Sequence, residues 1–259
     1  MDETLAYVEV GQGLPVVLLH AFPLNRTMWE PQIAALFAEC RCIVPDLRGF
    51  GDSPTSGPYS MDQYADDIAA LLDSLQIEQA VVCGLSMGGY IALAMVRRHR
   101  RLIRALVLAD TRATADTPEG AAKRTDLMSL ARDSGIEAVV ERQLPGLIGK
   151  TTREKQPDLV RRIRDIMLQA PVDGIIGASE AMRSRPDSME LLATVDVPTL
   201  IVVGEEDAVT PPKDAKEMAQ RIRGSRLEVI PAAGHLSNLE RPAAFNTALA
   251  DFVGSLLYN

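Results

Sequence analysis

The sequence is poor in cysteine and histidine, has no excess of basic charge and contains no long apolar run, and each shortage removes a class of function. Cys40, Cys42 and Cys83 are the only three cysteines. They are too few for a disulfide framework, and their apolar surroundings do not supply a zinc-ligand set, so they are expected to line strands. Lysine and arginine number 27 against 35 aspartates and glutamates, a formal charge of −8 with the acids scattered along the chain. That balance disfavours a nucleic-acid backbone or an anionic membrane surface as partner and suits a small neutral or weakly charged ligand. No apolar run approaches the ~20 residues that cross a bilayer, and no basic segment leads into an apolar one at the start. A soluble protein in the reducing cytoplasm is the expectation. Repeats and low-complexity tracts are also missing.

What is present is ordinary globular composition, 259 residues with 47% hydrophobic and 24% charged. Length alone allows one α/β domain with an insertion or two modest domains. Short apolar runs at 16–19, 42–44, 80–83, 106–108, 200–203 and 227–230 end at Gly, Pro, Asp or His, and most read as buried parallel strands. Helical spacing fills 28–37, 61–75, 87–98, 212–222 and 242–257. Strand alternating with helix predicts a mostly parallel sheet covered on both faces. Residues 5–10 alternate weakly and suit an antiparallel edge strand.

From about Arg112 to Thr194 the alternation stops and apolar residues recur at helical spacing, with punctuation at Gly146, Pro157, Pro171 and Pro186. The pattern predicts four or five helices inserted between two strands. The division expected is a core from 1–111 and 195–259 with a helical cap over 112–194.

Chemistry concentrates in a few short segments. Gly84-Leu85-Ser86-Met87-Gly88 lies between a predicted strand and a predicted helix, the setting in which Gly-x-Ser-x-Gly forms a tight turn with its serine exposed over the sheet. A serine hydroxyl needs a base whose pKa lies near ambient pH, and histidine is the usual choice. Of three histidines, His99 sits among arginines at a helix end and reads as solvated. His20 closes a strand and reads as structural support. His235, in a loop after the last strand, is the expected base of Ser86. The carboxylate that orients it is expected from Asp207 in Gly204-Glu205-Glu206-Asp207, with Asp110 as the competing position. Backbone amides of Met87 and Phe22 are the expected oxyanion donors.

Taken together, His20-Ala21-Phe22-Pro23, Asp46-Leu47-Arg48-Gly49-Phe50-Gly51-Asp52-Ser53, Gly84 to Gly89, Gly204 to Asp207 and Gly234-His235 resemble the α/β-hydrolase superfamily. Within it the chain is similar to bacterial carboxylesterases and the 3-oxoadipate enol-lactonase group, to which Asp110-Thr111-Arg112 is also similar. The resemblance implies the order Ser86, Asp207, His235, a helical cap, and a structural turn at Asp46 to Ser53. Ala21 departs from the glycine that many relatives carry there, which bears on the Phe22 amide.

The expected activity is hydrolysis of small to medium carboxylic esters through an acyl-enzyme, with no cofactor and no metal. Leu144, Leu147, Ile148, Met167 and Met182 offer apolar pocket walls, and Arg112, Arg142 and Arg183 are candidates to meet a carboxylate-bearing lactone. Enol-lactone hydrolysis, cofactor-free perhydrolysis and carbon-carbon hydrolysis use the same triad. A receptor that keeps the triad but scarcely turns over is the alternative from another class.

Overall fold

Val16, Val17, Leu18 and Leu19 are all fully buried, as a strand must be when helices cover both faces of its sheet. Their side chains alternate between two layers. Val17 and Leu19 pack with Ile43, Val82, Leu106 and Ile201 on one face. Val16 and Leu18 pack with Cys42, Val81, Val107 and Leu200 on the other. This period of two places a core on each side of the sheet.

The computed structural model describes residues 4–257. In chain order the elements are β1 (Tyr7–Val10), β2 (Leu14–Leu19), α1 (Glu30–Leu36), β3 (Cys40–Pro45), α2 (Met61–Ser74), β4 (Ala80–Leu85), α3 (Met87–Arg98) and β5 (Ile103–Ala109). Then follow α4 (Pro118–Leu147), α5 (Lys150–Lys155), α6 (Pro157–Met167), α7 (Val172–Arg183), β6 (Thr199–Gly204), α8 (Pro212–Arg221), β7 (Arg226–Ile230), α9 (Ser237–Glu240) and α10 (Pro242–Ser255). The strands form one sheet in the order β1-β3-β2-β4-β5-β6-β7. Among the described residues, only the pairing of β1 with β3 is antiparallel. Helices α2 and α3 supply Ile68, Leu72, Ile91 and Met95 to the first layer, and α10 supplies Phe245, Leu249 and Phe252 to the second.

The chain runs from β2 to β3 on one side and then returns to place β4 on the other side of β2. Such a reversal opens a crevice at the carboxyl ends of the strands. The loops after β2 and β4 therefore meet, with Leu19 opposite Gly84 in the ladder.

Three expectations shift. The helix expected over 28–37 is a 3₁₀ turn, Arg26–Trp29, capped by the Asn25 side chain, followed by α1 with Pro31 in its first turn. Proline lacks an N–H and is accommodated only there, so it sets the division. The edge strand begins at Tyr7 rather than 5. β7 is an edge strand with Arg226 and Val229 exposed, so only one of its flanks is covered by a neighbour.

Between β5 and β6 lie α4 to α7, and α4 is broken at Gly135, whose φ of 76° and ψ of −173° leave the helical range. The two connections to this insert are stitched by Arg185, whose guanidinium donates to Asp116 Oδ1 (2.7 Å), Met182 O (2.8 Å) and Thr114 O (2.8 Å) and stacks 4.1 Å from the Tyr90 ring. Burial raises the Asp116 carboxyl, but Arg124 and Arg185 outweigh it and hold the group below its usual value. Arg185 is buried, and the Asp116 side chain is 9% exposed. Arg185→Met is expected to lower unfolding free energy by about 3 kcal/mol, the low end for an orphaned buried charge because Arg124 stays beside Asp116. Urea titration checks this, and Arg185→Met with Asp116→Asn should cost less than the two single changes added together.

Candidate active site

β4 hands over to α3 through Ser86, whose φ of 55° and ψ of −111° no strand or helix uses. Two glycines make the turn possible by close approach. A Cβ at Gly84 would lie 2.1 Å from Gly88 O, and one at Gly88 would lie 2.2 Å from Leu19 O. The serine backbone is also pinned, its N–H donating to Ala109 O (2.9 Å) and its carbonyl accepting from the Thr111 hydroxyl (2.8 Å). The result is a serine 8% exposed whose side chain stands clear of the sheet.

Ser86 Oγ lies 2.8 Å from His235 Nε2, and His235 Nδ1 lies 2.8 Å from Asp207 Oδ2. Because an ionised carboxylate only accepts, Nδ1 carries the proton and Nε2 is left to accept from the serine hydroxyl. These three residues are thus brought together from loops after β4, β6 and β7. Asp207 Oδ1 accepts from the amides of Val209 (2.8 Å) and Thr210 (2.9 Å), and Oδ2 accepts from the Thr210 hydroxyl (2.8 Å). Burial pushes the Asp207 carboxyl up, but His235 and the Thr210 donors outweigh it, so it stays below the ordinary carboxylate value.

Asp110, the competing position, is also fully buried but turns elsewhere: it accepts from Gly204 N (2.8 Å) and from the Ser237 hydroxyl. Burial, and then the charge of Asp207, push its carboxyl well above the usual value. Glu205 accepts from Ala232 N (3.0 Å) and Glu206 from Thr151 N (2.8 Å), so both brace loops.

The Phe22 and Met87 amides have no hydrogen-bond partner among the described residues, whereas the neighbouring Ala21 amide is taken by Met28 Sδ at 3.2 Å. Ala21 is fully buried. The Phe22 ring meets Phe50 edge to face at 6.1 Å. His20 holds the next loop: its Nε2 accepts from Leu47 N (2.9 Å), which places its proton on Nδ1 beside Ala21 O (3.0 Å). Asp46 in that loop accepts from Arg26 N (2.8 Å) and Asp52 N (2.9 Å), a structural turn.

Most other residues singled out by the sequence have partners of their own. His99 caps α3 and pairs with Asp66 (2.7 Å). Arg183 pairs with Glu180 on the surface (2.8 Å), Arg142 is exposed, and Arg112 donates to Val209 O. Leu147, Ile148 and Met167 join one hydrophobic layer and Met182 the other. Thr210 and Glu240 were not anticipated by the sequence pattern. A signal for Thr210 exists, since a hydroxyl three residues after an aspartate favours such a local bond.

A parallel sheet with a strained serine between strand and helix is the architecture of a hydrolase. The family model for the alpha/beta hydrolase fold matches residues 15–242, and the chain belongs to that family of enzymes. It is similar to a thermophilic esterase from Thermogutta terrifontis, with 41% identity, TM-score 0.94, and coverage of 97% of this chain and 93% of that one. It is also similar to the enol-lactonase from Burkholderia xenovorans LB400, with 32% identity, TM-score 0.90 and 96% of each chain covered. 3-oxoadipate enol-lactonase 2 of Acinetobacter baylyi is 32% identical over 96% of this chain and 92% of its own length. No helix among the described residues is long and apolar enough to cross a membrane.

Burial lowers the His20 pKa from 6.5 to about 4, against opposing contributions from the Ala21 carbonyl and Asp46. The unfolded chain therefore takes up this proton first as pH falls. His20's contribution to stability is complete above its unfolded value and is lost as pH drops through the window between the two. Urea midpoints across this window should fall more steeply for wild type than for His20→Gln, by a slope approaching one proton.

Proposed function

We propose that the protein is a carboxylesterase acting on small to medium esters through an acyl-enzyme. The observation that carries the reading is the unbroken relay from Ser86 Oγ through both nitrogens of His235 to Asp207, each contact 2.8 Å. Ser86 Oγ attacks the ester carbonyl while its proton passes to His235 Nε2. The oxyanion is held by the amides of Phe22 and Met87, and the imidazolium by Asp207. Collapse breaks the ester C–O bond, and Nε2 returns the proton to the leaving alkoxide. Water, deprotonated by the same nitrogen, then attacks the acyl-serine, the bond from the acyl carbon to Ser86 Oγ breaks, Nε2 returns the proton to Oγ, and the acid is released. No step calls on a cofactor.

Residues 112–194 act in this reading as a cap, setting which acyl and alcohol groups reach Ser86. Enol-lactone hydrolysis is the second reading, favoured by the 32% identity to the A. baylyi enol-lactonase. The esterase reading is preferred because the esterase from T. terrifontis is 41% identical. In addition, Arg183 is engaged with Glu180 rather than free to meet a second carboxylate.

Steady-state and burst assays on p-nitrophenyl esters of graded acyl length, run beside enol-lactones, separate the readings. Ser86→Ala should abolish both burst and turnover. Asp207→Asn should cost on the order of 10⁴-fold in kcat, as when the acid of such a triad elsewhere becomes an amide. One slow turnover followed by arrest in the wild type would instead indicate a receptor.

A further inference from the structure

The loops after β6 and β7 carry more than Asp207 and His235. Glu240, at the end of α9, is 1% exposed. Its carboxylate accepts three backbone amides, Oε1 from Gly234 (2.9 Å) and Leu236 (3.2 Å) and Oε2 from Gly149 (3.0 Å). The first two donors stand immediately before and after His235. The third belongs to the connection between α4 and α5 in the insert.

At the same place the two backbones touch. A Cβ at Gly234 would lie 2.1 Å from Gly149 N, and one at Gly149 would lie 2.7 Å from Gly234 N. Gly149 has φ −60° and ψ 153°, which any residue adopts, so close approach rather than torsion calls for glycine there. Glu206, the residue before Asp207, accepts from the amide of Thr151 (2.8 Å) and from its hydroxyl. Both the acid loop and the base loop are thus fastened to one short stretch of the insert, 149–151.

We propose that Glu240 is a positioning residue for His235: one carboxylate holds the amides on both sides of the imidazole and the insert at Gly149, so the histidine is placed over Ser86 only when the insert is seated. Charge-assisted bonds to buried amides are short and directional, and three of them on one carboxylate leave the His235 backbone little freedom. A misplacement of about 1 Å at such a group costs on the order of 100-fold in rate. The kinetic form of the inference rests on the esterase reading, and its structural form does not.

Two variants test it. Glu240→Gln keeps the shape but turns one acceptor oxygen into a donor facing amide donors. Gly149→Ala keeps the Glu240 carboxylate and the triad side chains but wedges a methyl group between the insert and the His235 loop, 2.7 Å from Gly234 N and from Glu206 Oε2 and 3.1 Å from Glu240 Oε2. Each is assayed for kcat and KM on a short p-nitrophenyl ester, and for the low-field proton resonance of His235 Nδ1–H shared with Asp207.

The expected result is a roughly 10- to 100-fold fall in kcat with KM within about twofold, and loss or displacement of the resonance at unchanged circular dichroism. Should Glu240→Gln fail to fold, Gly149→Ala decides with the same signature at smaller size. Wild-type kcat and an unmoved resonance in a folded variant would overturn the proposal, even with a lowered melting temperature. If the wild type cleaves no ester yet the resonance responds in the variants, the esterase reading fails and the positioning role stands.

Discussion

The structure turns on a serine held where the backbone resists going. A non-glycine residue at positive φ costs on the order of 1–3 kcal/mol and persists only when its surroundings over-determine it. Around Ser86 they do: Gly84 and Gly88 admit neighbouring backbone at distances no side chain allows, and the Ser86 amide and carbonyl are tied to Ala109 and Thr111. The strands on either side, β2 and β5, present fully buried Val, Leu and Ala residues that fix β4 in register. A sheet buried on both faces supplies the rigidity, and the strained turn uses it to present a hydroxyl to the crevice.

Carboxylates at the carboxyl end of the sheet illustrate how environment assigns roles. Asp110 and Asp207 are both buried and close enough for the charge of one to act on the other, yet their ionisation is pushed in opposite directions. Four donors converge on Asp207, one of them His235. Asp110 has a single amide and a hydroxyl that can donate or accept. Ionisation is therefore favoured at the acid that faces the imidazole and disfavoured at Asp110. Were both carboxylates ionised, their mutual repulsion in a poorly solvated setting would work against the fold.

Much of this was legible in the sequence because it rests on side-chain pattern. Buried parallel strands read as apolar runs, and Gly-x-Ser-x-Gly between a strand and a helix locates the turn at Ser86 before any coordinate. Asp207 could be preferred to Asp110 but not separated from it by pattern, since both follow strands; the separation comes from which loop faces His235 in space. The division of the first helix at Pro31 and the exposed flank of β7 depend on neighbours that spacing does not encode. Glu240 was illegible for a deeper reason. Its partners are backbone amides of Gly149, Gly234 and Leu236, and an amide leaves no mark on residue type.

The insert meets the core through both hydrophobic layers and, closest to the site, at the loops that follow the strands. Gln169 accepts from the Asn25 side chain beside the loop of Phe22 (3.0 Å). Gly174 lies so close to the turn after β3 that a Cβ there would sit 1.8 Å from Gly49 O. Gly149 and Thr151 are held by Glu240 and Glu206. In α/β sheets these loops are where chemistry varies while the strands stay fixed. Electrostatic interactions gain strength where close packing lowers the local dielectric. On the proposed esterase reading, the helices that narrow the choice of substrate are the same ones that enclose the amides of Phe22 and Met87. On that reading a change in the insert that admits a larger group also disturbs the enclosure of those amides, which couples selectivity to rate through a single packed surface.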